Sequence, residues 1–220
     1  MKKIISFSLW GNDPKYCVGA IRNAQLAQKH FPEWECRFYC GMDVPGIYIS
    51  ALNAFNHTRV RIRPKEDFTF GAFWRFDAME PDTIVLSRDC DSRLSEREKQ
   101  IVDEWLVSDS KLSVIRDHAN HYEFPILAGM WGIKDGLDEN MLLGQSKYNM
   151  HHAYLMDQLW LRDLVWPKLQ HTAMIHGIKE TIWMRNSYKS IGKDFIGQTY
   201  DANDIPVYDG VLDCELVYKK

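Results

Sequence analysis

Through its first 115 residues the chain repeats one order, a short apolar run followed by an amphipathic stretch, and this order constrains the fold more than any other feature. Lys3 to Leu9 reads as a buried strand. Asp13 and Pro14 then supply an N-cap and a preorganised first helical residue, and Cys17, Ile21, Ala24, Ala27 and Phe31 recur at spacings of three and four along one helical face. The order continues with a strand at Cys36–Cys40, a helix at Gly46–Phe55, a strand at Thr58–Ile62, an aromatic-rich helix at Phe70–Met79 and an apolar strand at Asp82–Ser87. Ser95-Glu96-Arg97-Glu98 has the spacing of a capping box and opens a helix carrying Ile101, Val102, Trp105 and Leu106, with a strand at Lys111–Ile115 behind it. Strands and helices alternating in this way predict an α/β fold: a mainly parallel sheet covered on both faces. In such sheets ligands bind at the carboxyl ends of the strands, so the residues just after each strand are the ones to watch.

After Pro125 the sequence predicts a strand at Ile126–Ile133, a helix ending near Asn149 and another from Ala153 to about Leu169. Residues 171–220, with Gly177, Gly192, Gly197 and Gly210 among short apolar runs, read as a covering segment. A single domain of 220 residues is expected, with 1–95 as a nucleotide-binding half and 96–170 as the half that meets a sugar donor and acceptor. A chain of this length buries roughly 70% of its unfolded surface, enough for a core without staples. Lys and Arg number 27 against 30 Asp and Glu, a net charge of -3 that offers no global field to nucleic acid. The cysteines, at 17, 36, 40, 90 and 214, are odd in number and form no Cys-x-x-Cys pair, so reduced thiols and a cytoplasmic setting are expected. Met1-Lys2-Lys3 and the short run after it end in Gly11-Asn12-Asp13-Pro14, which suits a first strand better than a signal peptide, and no transmembrane segment is expected.

The densest chemical signal is Thr83-Ile84-Val85-Leu86-Ser87-Arg88-Asp89-Cys90-Asp91-Ser92-Arg93, where an apolar strand runs into the chain's one Asp-x-Asp. Extended backbone sends residues i and i+2 to the same side, so Asp89 and Asp91 present carboxylates to one site while Cys90 points away. Mg²⁺ or Mn²⁺ held by one or two carboxylates keeps its other positions for water and substrate phosphates. For Arg88 and Arg93 two roles are open, bidentate contact with phosphate or neutralisation within the fold. Two aspartates at a strand end also serve as a cap and a solvated turn, and it is the mid-sheet position between arginines that favours metal.

Ser8-Leu9-Trp10-Gly11, Phe73-Trp74-Arg75-Phe76, Ser87 to Leu94, Asp103-Glu104-Trp105, Arg116-Asp117-His118, Ile126 to Gly132 and Asp157-Gln158 together resemble the small GT-A glycosyltransferases, such as those of large algal viruses, including chlorella viruses, and of phages and bacteria. The resemblance covers about residues 4–170. It implies that Ser8, Leu9, Trp10 and Gly11 line the base of a nucleotide, that Arg75 approaches the nucleotide or its diphosphate, and that Asp89 contacts ribose and metal. It further implies that Asp91 is the firmer ligand of Mn²⁺ or Mg²⁺, that Ala128-Gly129-Met130 passes beneath the donor sugar, and that Asp157-Gln158 lies near the reacting carbon. The partners implied are a nucleotide-sugar donor, most simply a uridine diphosphate sugar, and a glycan or glycoprotein acceptor such as a capsid protein. The setting implied is the cytoplasm, that of the host for a viral enzyme. Many GT-A enzymes take a third metal ligand from a histidine near the C-terminus, and neither His171 nor His176 aligns with that motif.

Loss of a nucleoside diphosphate leaves charge on the β-phosphate that a cation and arginines stabilise, while the sugar carbon becomes oxocarbenium-like. Asp157 suits stabilisation of that carbon or deprotonation of the acceptor. Asp117 and Glu123 flank the loop after a strand, where each is a base, an acceptor contact or a loop anchor. Trp10, Trp74 and Trp131 serve equally as walls that exclude water or as core. His118-x-x-His121 reads as a rim contact or a cap, His151-His152 as a solvated turn, and Phe68 to Trp74 as core apart from Arg75. Two other classes fit the same residues less well: a phosphate-handling enzyme, either a nucleotidylyltransferase or a phosphatase with Asp89 as nucleophile, and a non-catalytic binder of sugar nucleotides.

Overall fold

A computed structural model describes residues 1–64, 70–150, 153–177 and 195–207. Phe68, Thr69, His151, His152, Gly192, Gly210 and Cys214 lie outside the described residues. The elements are β1 (Lys2–Leu9), α1 (Pro14–His30), β2 (Glu35–Cys40), α2 (Gly46–Asn53), β3 (Thr58–Ile62), a 3-10 helix (Gly71–Ala78), β4 (Thr83–Arg88), α3 (Glu96–Val107), β5 (Leu112–Arg116), β6 (Trp131–Lys134), α4 (Glu139–Asn149), α5 (Met156–Trp160), α6 (Trp166–Leu169) and β7 (Ala173–Gly177). They build one seven-stranded sheet in the order β3-β2-β1-β4-β6-β5-β7. β3, β2, β1 and β4 run parallel, β6 is antiparallel to both β4 and β5, and β7 joins β5 in parallel.

Strand alternation distributes the core. On β1, Ile5, Phe7 and Leu9 pack with Cys36, Phe38 and Cys40 of β2, with Cys17, Ala20, Ala24 and Ala27 of α1 and with Trp105 of α3. Ile4 faces the other way, into Phe73, Phe76, Val85, Trp131, Trp160 and Val165. Ser6 and Ser8 share that second face, and there they hold the 3-10 helix. The Ser6 hydroxyl donates to the Arg75 carbonyl at 2.7 Å, and the Arg75 N–H donates to the Ser8 hydroxyl at 2.9 Å. Two small hydroxylated residues on a buried strand thus fix the backbone of the arginine that sits at the rim.

The caps form as the sequence requires. Asp13 accepts from the Lys15 N–H at 2.9 Å with Pro14 next to it, and Ser95 accepts from the Glu98 N–H at 3.2 Å. Glu98 does not complete its capping box. It pairs instead with Arg88, and both side chains are 2% exposed. Arg88 also donates to the Ser87 and Trp131 carbonyls at 2.7 and 2.9 Å, so the guanidinium is held inside the fold. Removing one partner from a buried pair of this kind costs about 3–5 kcal/mol, because the other charge is left uncompensated.

Three regions differ from the sequence expectation. The predicted strand at Ile126–Ile133 is strand only from Trp131 onward, and it is antiparallel; before it the chain turns, with the Met130 N–H donating to the Leu127 carbonyl at 2.9 Å. The predicted helix from Ala153 starts at Met156 after a left-handed Leu155 (φ 70°), and passes through a π turn at Leu161–Val165 before Pro167. Ala173–Gly177, taken as part of a covering segment, is an edge strand of the sheet.

Residues 195–207 lie against the loops after β4 and β5. Asp117 accepts from the Ile196 N–H at 2.8 Å and pairs with Arg97, His118 stacks on Phe195 with ring centroids 4.3 Å apart, and the Tyr200 N–H donates to the Asp91 carbonyl at 2.8 Å.

Candidate functional site

The carboxyl ends of β1 and β4, the 3-10 helix, the turn before β6 and the start of α5 meet at one rim. Arg75 is its hub. One guanidinium nitrogen pairs with Asp89, and another holds Asp157 at 2.8 Å. Asp157 also accepts from the Gln158 N–H at 2.9 Å, and the Gln158 side-chain carbonyl accepts from the Ala128 N–H at 3.2 Å. The Asp157-Gln158 dipeptide therefore clamps both the arginine and the turn that carries Gly129. Gly129 leaves room for the Asp89 carboxylate: a Cβ there would stand 1.9 Å from the Asp89 Oδ2, so the Asp89 side chain would have to move. The strained left-handed Leu155 sits two residues before Asp157, as strain often does beside functional side chains.

Asp91 lies across the rim, where its Oδ2 meets the Lys15 ammonium at 2.8 Å. Cys90, between the two aspartates, turns inward and donates from its thiol to the Ser8 carbonyl at 3.3 Å. Burial pushes the Asp91 carboxyl above the usual carboxylate range, with the neighbouring Asp89 charge adding to it and Lys15 opposing. Burial also pushes the Asp157 carboxyl up; Arg75 opposes and Asp89 reinforces. The rim thus gathers three carboxylates and two cations into a small, partly desolvated volume.

Among the described residues no group of three His, Cys, Asp or Glu side chains forms a metal cage. Asp89 and Asp91 nevertheless suit Mg²⁺ or Mn²⁺ that arrives with a diphosphate, since such ions need only one or two protein carboxylates. His176 is not available as a further ligand, because it is 3% exposed and its Nε2 faces Glu104 at 3.3 Å.

The predicted site residues divide by position. Asp89, Asp91, Arg75, Asp157 and Gly129 meet at the rim. Trp10 is there too, with 43% of it exposed and its ring edge-on to Phe70 and Trp74 at centroid distances of 6.0 and 6.2 Å. Gly71 lies directly under its indole, where a Cβ would come within 2.8 Å, and Gly11 makes the left-handed turn (φ 73°) beyond it. Four expectations need correction. Leu9 is core, 1% exposed. Ser8 is buried in the fold, its hydroxyl holding the Arg75 N–H and its carbonyl the Cys90 thiol. Arg88 is turned to Glu98 behind the sheet, because residue 88 alternates with 89. Asp117 anchors Arg97 and Ile196, which places it in a loop clamp apart from the Arg75 cluster. Arg75 itself bridges the carboxylates of Asp89 and Asp157.

Lys15 is the rim residue that sequence reasoning passed over. Its signal was present, since a lysine in the first turn of a helix opposes the helix dipole and calls for a local reason. A cavity of about 720 Å³ between α1, the start of α3 and residues 195–204 is a separate space. Its arginines are already engaged, Arg22 and Arg93 with Asp204 at 2.9 and 3.0 Å and Arg97 with Asp117.

No family model matches the chain, and no curated protein matches it. Among solved structures it is similar to S. aureus TarS 1–349, with a TM-score of 0.52 at 11% identity over 81% of this chain and 58% of that one. It is also similar to 4-diphosphocytidyl-2C-methyl-D-erythritol synthase from Anaerococcus prevotii (0.48, 12%, 80% and 89%) and to the galactosyltransferase LgtC in complex with donor and acceptor sugar analogues (0.43, 14%, 78% and 72%). At these identities the likeness is one of fold. The chain is an α/β domain of GT-A-like, Rossmann type, with a mixed, mostly parallel sheet.

Proposed function

We propose that this protein is a glycosyltransferase that moves a sugar from a nucleotide diphosphate donor, a uridine diphosphate sugar in the first instance, to a hydroxyl of a glycan or glycoprotein. One observation carries the reading: Arg75 ties Asp157 to Asp89, at the exit of a central strand of a GT-A-like sheet and next to Asp91. Asp89 and Asp91 hold the divalent ion, which supplies positive charge to the departing diphosphate. Trp10 offers an indole face to the base. Asp157, immobilised by Arg75 and the Gln158 N–H, presents a carboxylate to the reacting carbon or the acceptor hydroxyl. The closeness of Asp157 to Asp89 favours catalysis over simple binding of a sugar nucleotide.

The free, buried thiols of Cys17, Cys36, Cys40 and Cys90 suit work in the reducing cytoplasm. Among the described residues no helix is long and apolar enough to cross a membrane.

A panel of nucleotide sugars incubated with the protein and Mn²⁺ tests the proposal. The expected result is nucleoside diphosphate release from a uridine diphosphate sugar, with Asp157→Asn slower by about 100-fold or more. Phosphate release from simple monoesters, or pyrophosphate from a nucleoside triphosphate and a sugar phosphate, would instead support one of the phosphate-handling classes.

A further inference from the structure

Lys15 reaches from the first turn of α1 to Asp91, and its ammonium stands 2.8 Å from Oδ2. It is still 29% exposed and lies 5.1 Å over the Tyr16 ring, so it has both an open side toward solvent and a second resting surface. The pairing has an electrostatic origin. Asp91 is 8% exposed, and Arg75 is committed to Asp89 and Asp157. Lys15 is the cation that meets Asp91 at the rim. An ammonium in that position occupies an oxygen that a divalent ion would use.

We infer that Lys15 is a placeholder cation: it occupies Asp91 in the ligand-free protein, and is displaced onto the donor diphosphate when the divalent ion arrives with the nucleotide. The inference rests on the glycosyltransferase reading and deepens it by making metal and nucleotide binding interdependent. Metal alone must take Asp91 from the Lys15 ammonium, which then turns to solvent. Metal with diphosphate offers that lysine phosphate oxygens in exchange, so each ligand strengthens the other. A flexible point-charge lysine suits such an exchange better than an arginine, whose planar fork favours a fixed bidentate geometry.

The test is Mn²⁺ binding followed by electron paramagnetic resonance of the free ion, without nucleotide and then with uridine diphosphate. Wild type is expected to bind Mn²⁺ weakly alone and much more tightly with uridine diphosphate. Lys15→Met should bind Mn²⁺ alone roughly tenfold tighter or more, because a competing charge has left the site, and should lose most of the gain from nucleotide. Lys15→Gln serves as a second neutral variant, and Lys15→Arg should keep Mn²⁺ binding weak. Adding Asp91→Asn to Lys15→Met should abolish the new affinity. If wild type binds Mn²⁺ with uridine diphosphate but neither neutral variant gains affinity for Mn²⁺ alone, Lys15 is only a structural ion pair and the inference is overturned. If no variant binds Mn²⁺ even with uridine diphosphate, the inference falls together with the metal-dependent reading on which it rests.

Discussion

Gly129→Ala is expected to lower kcat/KM by about 100-fold or more, some 2.7 kcal/mol of transition-state stabilisation, while the melting temperature moves by only a few degrees. The added methyl would stand 1.9 Å from the Asp89 Oδ2 and 2.5 Å from its Cγ, so the carboxylate has to leave. It can do so cheaply for the fold, because the Asp89 side chain is 48% exposed and Gly129 does not need a left-handed backbone. On the proposed reading it cannot do so cheaply for chemistry, because Asp89 would hold the metal and is the partner that fixes one arm of Arg75. Turnover of the donor identified from the panel, measured beside a thermal melt, checks this. Full activity in a stable Gly129→Ala protein would show that the observed Asp89 position is not the one catalysis uses.

The second large effect is on stability in acid. His121 is buried against His118 and Phe195, its Nδ1 has no hydrogen-bond partner, and burial, with the neighbouring His118 adding, pushes its pKa down to about 3. The sign follows from linkage. The unfolded chain takes up a proton on this ring near pH 6.5 while the folded one refuses it, so the contribution of His121 is intact above that pH and is lost as pH falls toward 3. At pH 4.5 the loss amounts to about 2–3 kcal/mol. His121→Phe keeps a ring against Phe195 and removes the titrating group. Urea midpoints at pH 7.5 and 4.5 should therefore fall less with acid for His121→Phe than for wild type, and equal falls would show that His121 is not held neutral. The clamp it belongs to, with Asp117 on the Ile196 N–H, fastens residues 195–198 over the end of β5, so its loosening in acid should be seen first in that segment.

Much of this architecture is legible in the sequence because its signals are local. The apolar runs, the Asp13-Pro14 cap and the Ser95 cap each depend on neighbours within a few residues, and the strand of Thr58–Ile62 falls where its β-branched residues place it. Alternation along one strand also gives the inward Cys90. The same rule applied two residues earlier turns Arg88 away from the rim, and the attraction of an arginine beside two aspartates hid that consequence. What could not be read is set by distant partners. Ser8 has the small polar character of a base contact, yet its hydroxyl is spent on a helix 67 residues away. Asp117 was drawn to the site by its place after a strand, but Arg97 and Ile196, at separations of 20 and 79 residues, claim it for a loop clamp. The direction of β6 is likewise invisible in its composition, because apolar residues buried on both faces look alike whichever way the strand runs.

Thermal melts of wild type and Asp91→Asn, with Mn²⁺, with uridine diphosphate and with both, test most directly whether Asp89 and Asp91 form a cation-dependent diphosphate site. Wild type should gain stability only with both ligands together, about 2.7 kcal/mol when the complex is at 100 times its dissociation constant, and Asp91→Asn should gain none. A gain from uridine diphosphate that is the same without metal, or the same in Asp91→Asn, would contradict the account.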